Sequence, residues 1–127
     1  MPIAILAIAL GASLGALLRW VLGIALNALW PMLPLGTLAA NLLGGLLVGI
    51  VFESLSVYSG LAPSWRLFAI TGFLGGLTTF STFSLEISTL LLGRHYLTAA
   101  LSIGLHVVGS IGLTIAGIAL VQYLANR

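Results

Sequence analysis

The sequence has no cysteine, no lysine and no aspartate. Without cysteine there are no disulfides, thiolate metal sites or cysteine nucleophiles, and the redox compartment stays undetermined. Charge amounts to four arginines and two glutamates, 5% of 127 residues. The basic balance therefore reflects a shortage of acids rather than a basic patch, which excludes nucleic acid as a partner. Paired carboxylates, a Ser/His/Asp arrangement, metal-ligand spacings and a phosphate loop are all missing. His95 and His106 are too far apart to share a helical turn and have no acidic neighbour, so an interfacial ring and a packed or pore-lining ring are their expected roles. The chain is not expected to be an enzyme.

What fills the sequence is apolar: 61% of residues are hydrophobic. That composition belongs in a bilayer, where a spanning helix takes about 20 apolar residues, so a chain of this length has room for about four. The expected architecture is an all-α membrane protein, one transmembrane domain over 1–127, with spans at about 3–27, 35–54, 64–92 and 96–124. The apolar N-terminus lacks the positive region of a secretory signal and is read as the first span. Trp30 to Pro34, with two prolines, forms the first loop, and Ser54 to Pro63 the second. Gly93, Arg94 and His95 make the last turn.

The third segment differs from the others. Its middle runs Gly72-Phe73-Leu74-Gly75-Gly76-Leu77-Thr78-Thr79-Phe80-Ser81-Thr82-Phe83-Ser84, and a glycine pair followed by β-branched and hydroxyl residues makes a poor continuous helix. A discontinuity is expected near Gly75 to Thr79, and in a membrane it must be buried in protein or line a polar cavity. The spacings Gly11/Gly15, Gly45/Gly49 and Gly72/Gly76 allow helix backbones to approach closely. With four spans, Arg66 and Arg127 fall on one side and Arg19 and Arg94 toward the other. The positive-inside rule then gives almost no orientation bias, which leans toward insertion both ways and an antiparallel pair, against the plainer reading of a weak bias.

The polar side chains inside the spans are neutral donors: Asn41, Thr71, Thr78, Thr79, Ser81, Thr82, Ser84, Ser110 and Thr114. Ser110 and Thr114 share a helix face, as Thr78 and Thr82 would. Any one hydroxyl is adequately explained by a bond to the carbonyl one turn back. Their concentration around the expected break is not. Phe80 and Phe83 project from one face. Spacing alone favours lipid-facing or core rings, but a ring edge is positive and would favour an anion without trapping it. Arg19 and Glu86 are the charges deepest in the spans; snorkelling, mutual pairing and shaping the mouth of an ion path all remain open.

Leu35-Gly36-Thr37-Leu38-Ala39-Ala40-Asn41 with Gly44, and Thr71 to Ser84 with Glu86, resemble the hallmark motifs of the Fluc (CrcB) fluoride channels. Gly15, Arg19, His106, Gly109 and Ser110 extend the resemblance over essentially the whole chain. It implies a fluoride-selective passive channel that exports cytoplasmic fluoride and confers fluoride resistance, embedded in the lipid of the inner membrane as an antiparallel, dual-topology homodimer with two pores. It further implies that Phe80 and Phe83 line the pores with ring edges, that Asn41 donates to the ion, and that Ser81, Thr82, Ser110 and Thr114 form a polar track. His106, histidine or tyrosine in family members, is counted with the pore residues. A structural sodium ion at the dimer interface, held by the carbonyls of Gly75 and Thr78, is also implied. The alternatives are a small multidrug-type proton-coupled exporter, which would need a carboxylate in the first helix, and a non-transporting assembly subunit, in which the glycine spacings would serve packing alone.

Overall fold

A computed structural model describes all 127 residues, and every regular element is helical. Helix α1 spans Pro2–Leu26, with proline in its first turn, where its missing N–H costs nothing. A 3₁₀ turn, Asn27–Leu29, ends it. Pro31 and Pro34 then interrupt the helix, and α2 runs Leu35–Val57. After Gly60, at φ +128°, Pro63 opens α3, Pro63–Arg66. The chain continues as a π-helix over Leu67–Leu74 and a last α-turn, α4, Gly75–Leu77. Thr78 and Thr79 are extended, with ψ of 153° and 117°. Helix α5, Phe80–Leu92, follows, with the Thr79 hydroxyl accepting from the Thr82 amide as its cap. Because Thr78 stands outside the helix, it does not share a helical face with Thr82, contrary to the spacing argument. Helix α6 spans Tyr96–Ala125.

Four helical segments are long and apolar enough to cross a membrane: Pro2–Leu29, Leu35–Val57, Pro63–Leu92 and Tyr96–Ala125. Large apolar side chains such as Leu14, Ile24, Leu97 and Val108 lie exposed around the bundle, as they must where lipid is the solvent.

The glycine spacings join helices within one chain. A Cβ at Gly11 would lie 2.7 Å from the Phe73 amide, and one at Gly72 3.0 Å from Gly11 Cα. Gly76 packs against the backbone of Ala12, and Gly45, Gly49 and Gly117 bring α2 and α6 together in the same way.

The turn from α5 to α6 is a Schellman arrangement: the His95 amide donates to the Leu90 carbonyl and the Arg94 amide to that of Leu91. Its left-handed position is Arg94, at φ 61°, where glycine is usual. Arg94→Gly is expected to raise stability by about 0.5–1 kcal/mol in a thermal or denaturant melt, by removing that strain.

Candidate functional site

The extended residues Thr78 and Thr79 leave backbone groups unpaired inside the bundle, and the tertiary structure supplies their partners. Oδ1 of Asn41 accepts from the Thr79 amide at 2.8 Å, and Nδ2 of Asn41 donates to the Thr79 carbonyl at 3.1 Å. One side chain on α2 thus replaces both hydrogen bonds that a continuous helix would give Thr79. Arg19 Nε donates to the Gly76 carbonyl at 3.1 Å, placing positive charge at the C-terminal end of α4, where the helix dipole favours it. Thr78 Oγ1 donates back to the Leu74 carbonyl.

The Asn41 clamp also determines the state of His106. Because the Thr79 amide and carbonyl fix which way the Asn41 carboxamide points, the atom 3.0 Å from His106 Nδ1 is Nδ2, which has only protons to offer. Nδ1 is therefore the acceptor, and the neutral ring carries its proton on Nε2. That N–H is buried and has no partner. His106 is 4% exposed and stacks at 4.5 Å between ring centroids against Phe83. Phe83 in turn lies 5.8 Å from Phe80, with the ring planes at 59°. The two phenylalanines differ sharply in environment: Phe83 is 8% exposed and Phe80 78%. Asn41, Thr78, Phe80, Phe83, His106 and Ser110 all border one cavity of about 390 Å³.

Below His106, Ser110 Oγ reaches the Asn41 carbonyl at 3.4 Å and Thr114 Oγ1 the Gly45 carbonyl at 2.7 Å. Glycines at 45 and 49 let α6 come this close. Thr114 also lies within reach of the Ser110 carbonyl one turn back, so its single proton chooses between two acceptors. Ser81 Oγ and Thr79 Oγ1 are 3.3 Å apart, and Thr82 lines a second cavity, of about 340 Å³, with Arg19, Asn27, Thr37 and Thr79. Arg19 and Glu86 do not pair: Glu86 Oε2 accepts from the Thr37 hydroxyl at 2.7 Å, and Oε1 is buried without a partner.

The structure therefore brings Asn41, Phe80, Phe83, His106 and Ser110 to one cavity and Arg19 and Thr82 to another. Both amide protons of Asn41 are committed, so an ion that took one would have to displace His106 or the Thr79 carbonyl. Sequence reasoning missed Thr37, the partner of Glu86, and Asn27. The cue for Asn27 was a lone carboxamide before a proline-rich loop, but its partners lie nine and ten residues away.

These features define a small multi-pass membrane protein with a neutral, donor-rich seam at a helix interruption. A family model described as "CrcB-like protein, Camphor Resistance (CrcB)" matches residues 6–118. A protein of Nitrosospira multiformis is 57% identical over 124 residues, 98% of this chain and 97% of its own. Proteins of Tolumonas auensis, 53% identical over 94% of both chains, and Pseudomonas syringae pv. maculicola, 52% identical over 97% of both, are similarly related. All three bear the name fluoride-specific ion channel FluC. The chain belongs to the CrcB family.

Proposed function

We propose that this protein is a fluoride-selective passive channel, exporting fluoride across the inner membrane as an antiparallel, dual-topology homodimer. The observation that carries the reading is the unpartnered His106 Nε2–H, buried beside Phe83 in a cavity lined by neutral donors. A buried donor without a partner is uncommon in a stable fold and is satisfied by a small anion. The names of relatives more than half identical along their length support the choice of fluoride. Ring edges of Phe80 and Phe83, the Asn41 amide and the hydroxyls of Ser81, Thr82, Ser110 and Thr114 would replace the ion's water in succession. None carries a full charge, so the ion is not held too tightly to leave. Fluoride enters cells as HF, dissociates, and leaves through the channel down its electrochemical gradient, which requires no energy source.

The dimer is supported by Phe80, whose ring borders the cavity yet is largely exposed. A cation at the dimer axis fits the break. No hydrogen bond reaches the Thr78 carbonyl, and the Thr79 amide, the usual partner of the Gly75 carbonyl, is taken by Asn41. Two carbonyls from each protomer would give a hard cation such as sodium four oxygen ligands. Sodium would then stabilise the dimer. Replacing sodium chloride by choline chloride is expected to lower the thermal midpoint, and no dependence on sodium would remove the ion from the proposal.

The test of function is fluoride efflux from liposomes containing the purified protein, with chloride efflux beside it. Fluoride-selective release is expected, falling by about two orders of magnitude in Phe80→Leu while the dimer persists. An assembly subunit would show no release and would tolerate the substitution.

A further inference from the structure

Helix α2 begins without a cap of its own, since its N-cap position is Pro34, whose side chain has no acceptor. The first-turn amides nevertheless have one. Oδ1 of Asn27 accepts from Gly36 N–H at 2.7 Å and from Thr37 N–H at 3.2 Å. These are the second and third residues of the helix, the amides that an ordinary N-cap oxygen serves. Here the oxygen comes from the end of α1. Gly36 makes the approach possible, because a Cβ there would strike the Leu22 carbonyl and stand 2.6 Å from Oδ1 itself. Thr37 is held 5% exposed, with its hydroxyl on Glu86. Asn27 and Thr37 line the cavity that contains Arg19 and Thr82, whereas Glu86 borders a different cavity beside His95. The Thr37–Glu86 hydrogen bond therefore stands between the two.

We infer that Asn27 is a positioning residue of the conduction route: its carboxamide oxygen caps α2 in place of Pro34 and thereby fixes the Thr37 hydroxyl against Glu86. The inference rests on the channel reading. Loss of the oxygen leaves the amides of two buried residues of the first turn without a partner. That turn then rotates or frays, and Thr37 leaves Glu86. What matters at position 27 is an acceptor oxygen; a carboxylate supplies one, and its charge is offset there by the N-terminus of α2 and by Arg19, which lines the same cavity.

The test compares Asn27→Ala and Asn27→Asp with the parent protein in two measurements on the same dimer preparations. Fluoride efflux is expected to slow by about tenfold in Asn27→Ala and to stay within about threefold of the parent in Asn27→Asp. Amide exchange over residues 35–38 in detergent is expected to speed up in Asn27→Ala and not in Asn27→Asp. Efflux at the parent rate in Asn27→Ala, or Asn27→Asp as slow as Asn27→Ala, would overturn the positioning role. Unchanged exchange in Asn27→Ala would overturn the cap itself. A parent protein that releases no fluoride, with exchange still responding as described, would remove the channel reading and the conduction role together while leaving the cap in place.

Discussion

Asn41→Leu is expected to abolish fluoride efflux to within the leak of empty liposomes and to destabilise the folded protein by about 2–4 kcal/mol. Leucine has as many side-chain heavy atoms as asparagine and is the bulkier of the two, so the effect would not come from a cavity. The Thr79 amide and carbonyl, both now bonded to the Asn41 carboxamide, would be left without partners in the middle of the bundle. Each such group costs about 1–3 kcal/mol when buried unpaired. His106 Nδ1 would lose its donor as well, and with it the constraint that places the proton on Nε2. Asn41→Asp keeps the acceptor and removes the donor. The carboxylate still accepts from the Thr79 amide but offers no proton to the Thr79 carbonyl or to His106. It also puts negative charge in the cavity that the proposed function gives to the anion. Stability is expected to fall at least as far as in Asn41→Leu, because an unpaired carboxylate is then buried against the Thr79 carbonyl, and efflux is lost equally. Thermal or denaturant melts and efflux, measured on the same preparations, decide this. An Asn41→Leu protein with parent stability would show that the break does not depend on the clamp.

The second large effect is expected at Gly15. A Cβ there would collide with the Phe73 carbonyl oxygen and lie 2.7 Å from the Leu77 amide. Both obstacles are backbone, so neither can rotate aside. Gly15→Ala must push α1 away from the segment that ends in α4, and the displacement reaches the Arg19 contact to the Gly76 carbonyl one turn on. Overpacking of this kind costs about 1–3 kcal/mol, and Gly15→Val should cost more. Gly104→Ala is the control, because a Cβ at Gly104 meets nothing within 4 Å. In that helix interior alanine is expected to be neutral or stabilising by up to about 1 kcal/mol. Unfolding midpoints of the three variants test the contrast. Equal behaviour of Gly15→Ala and Gly104→Ala would overturn the packing argument.

Arg94, Asn27, Asn41 and Gly15 illustrate different degrees of legibility. The spans were readable because lipid imposes a one-dimensional requirement, about 20 apolar residues in a row, and the chain meets it four times. Pro31, Pro34 and Pro63 placed the loops because proline acts on its own backbone, but the second loop is shorter than the expected Ser54 to Pro63, since α2 runs on to Val57 and Pro63 already opens α3. At the turn the left-handed residue is Arg94, beside a glycine, Gly93, that keeps a negative φ. The hydrogen bonds that close the helix end, and not intrinsic preference, decide which residue takes that conformation.

The site follows the same division. The residue types, a donor-rich stretch after two glycines with two phenylalanines three apart, could be read from the chain, but their spacing alone favoured core or lipid-facing rings at Phe80 and Phe83. The sequence by itself determined the membrane class, the number of spans and the segment that cannot be a regular helix, because each depends on neighbours along the chain. Only the tertiary structure decided that Asn41 satisfies Thr79, that His106 holds its proton on Nε2, that Glu86 bonds Thr37 rather than Arg19, and that Asn27 caps α2. Those bonds join residues on separate helices or across a loop. A hydrogen bond depends on the position and direction of both partners, and these are set by how glycine-lined helices pack, which no local pattern specifies.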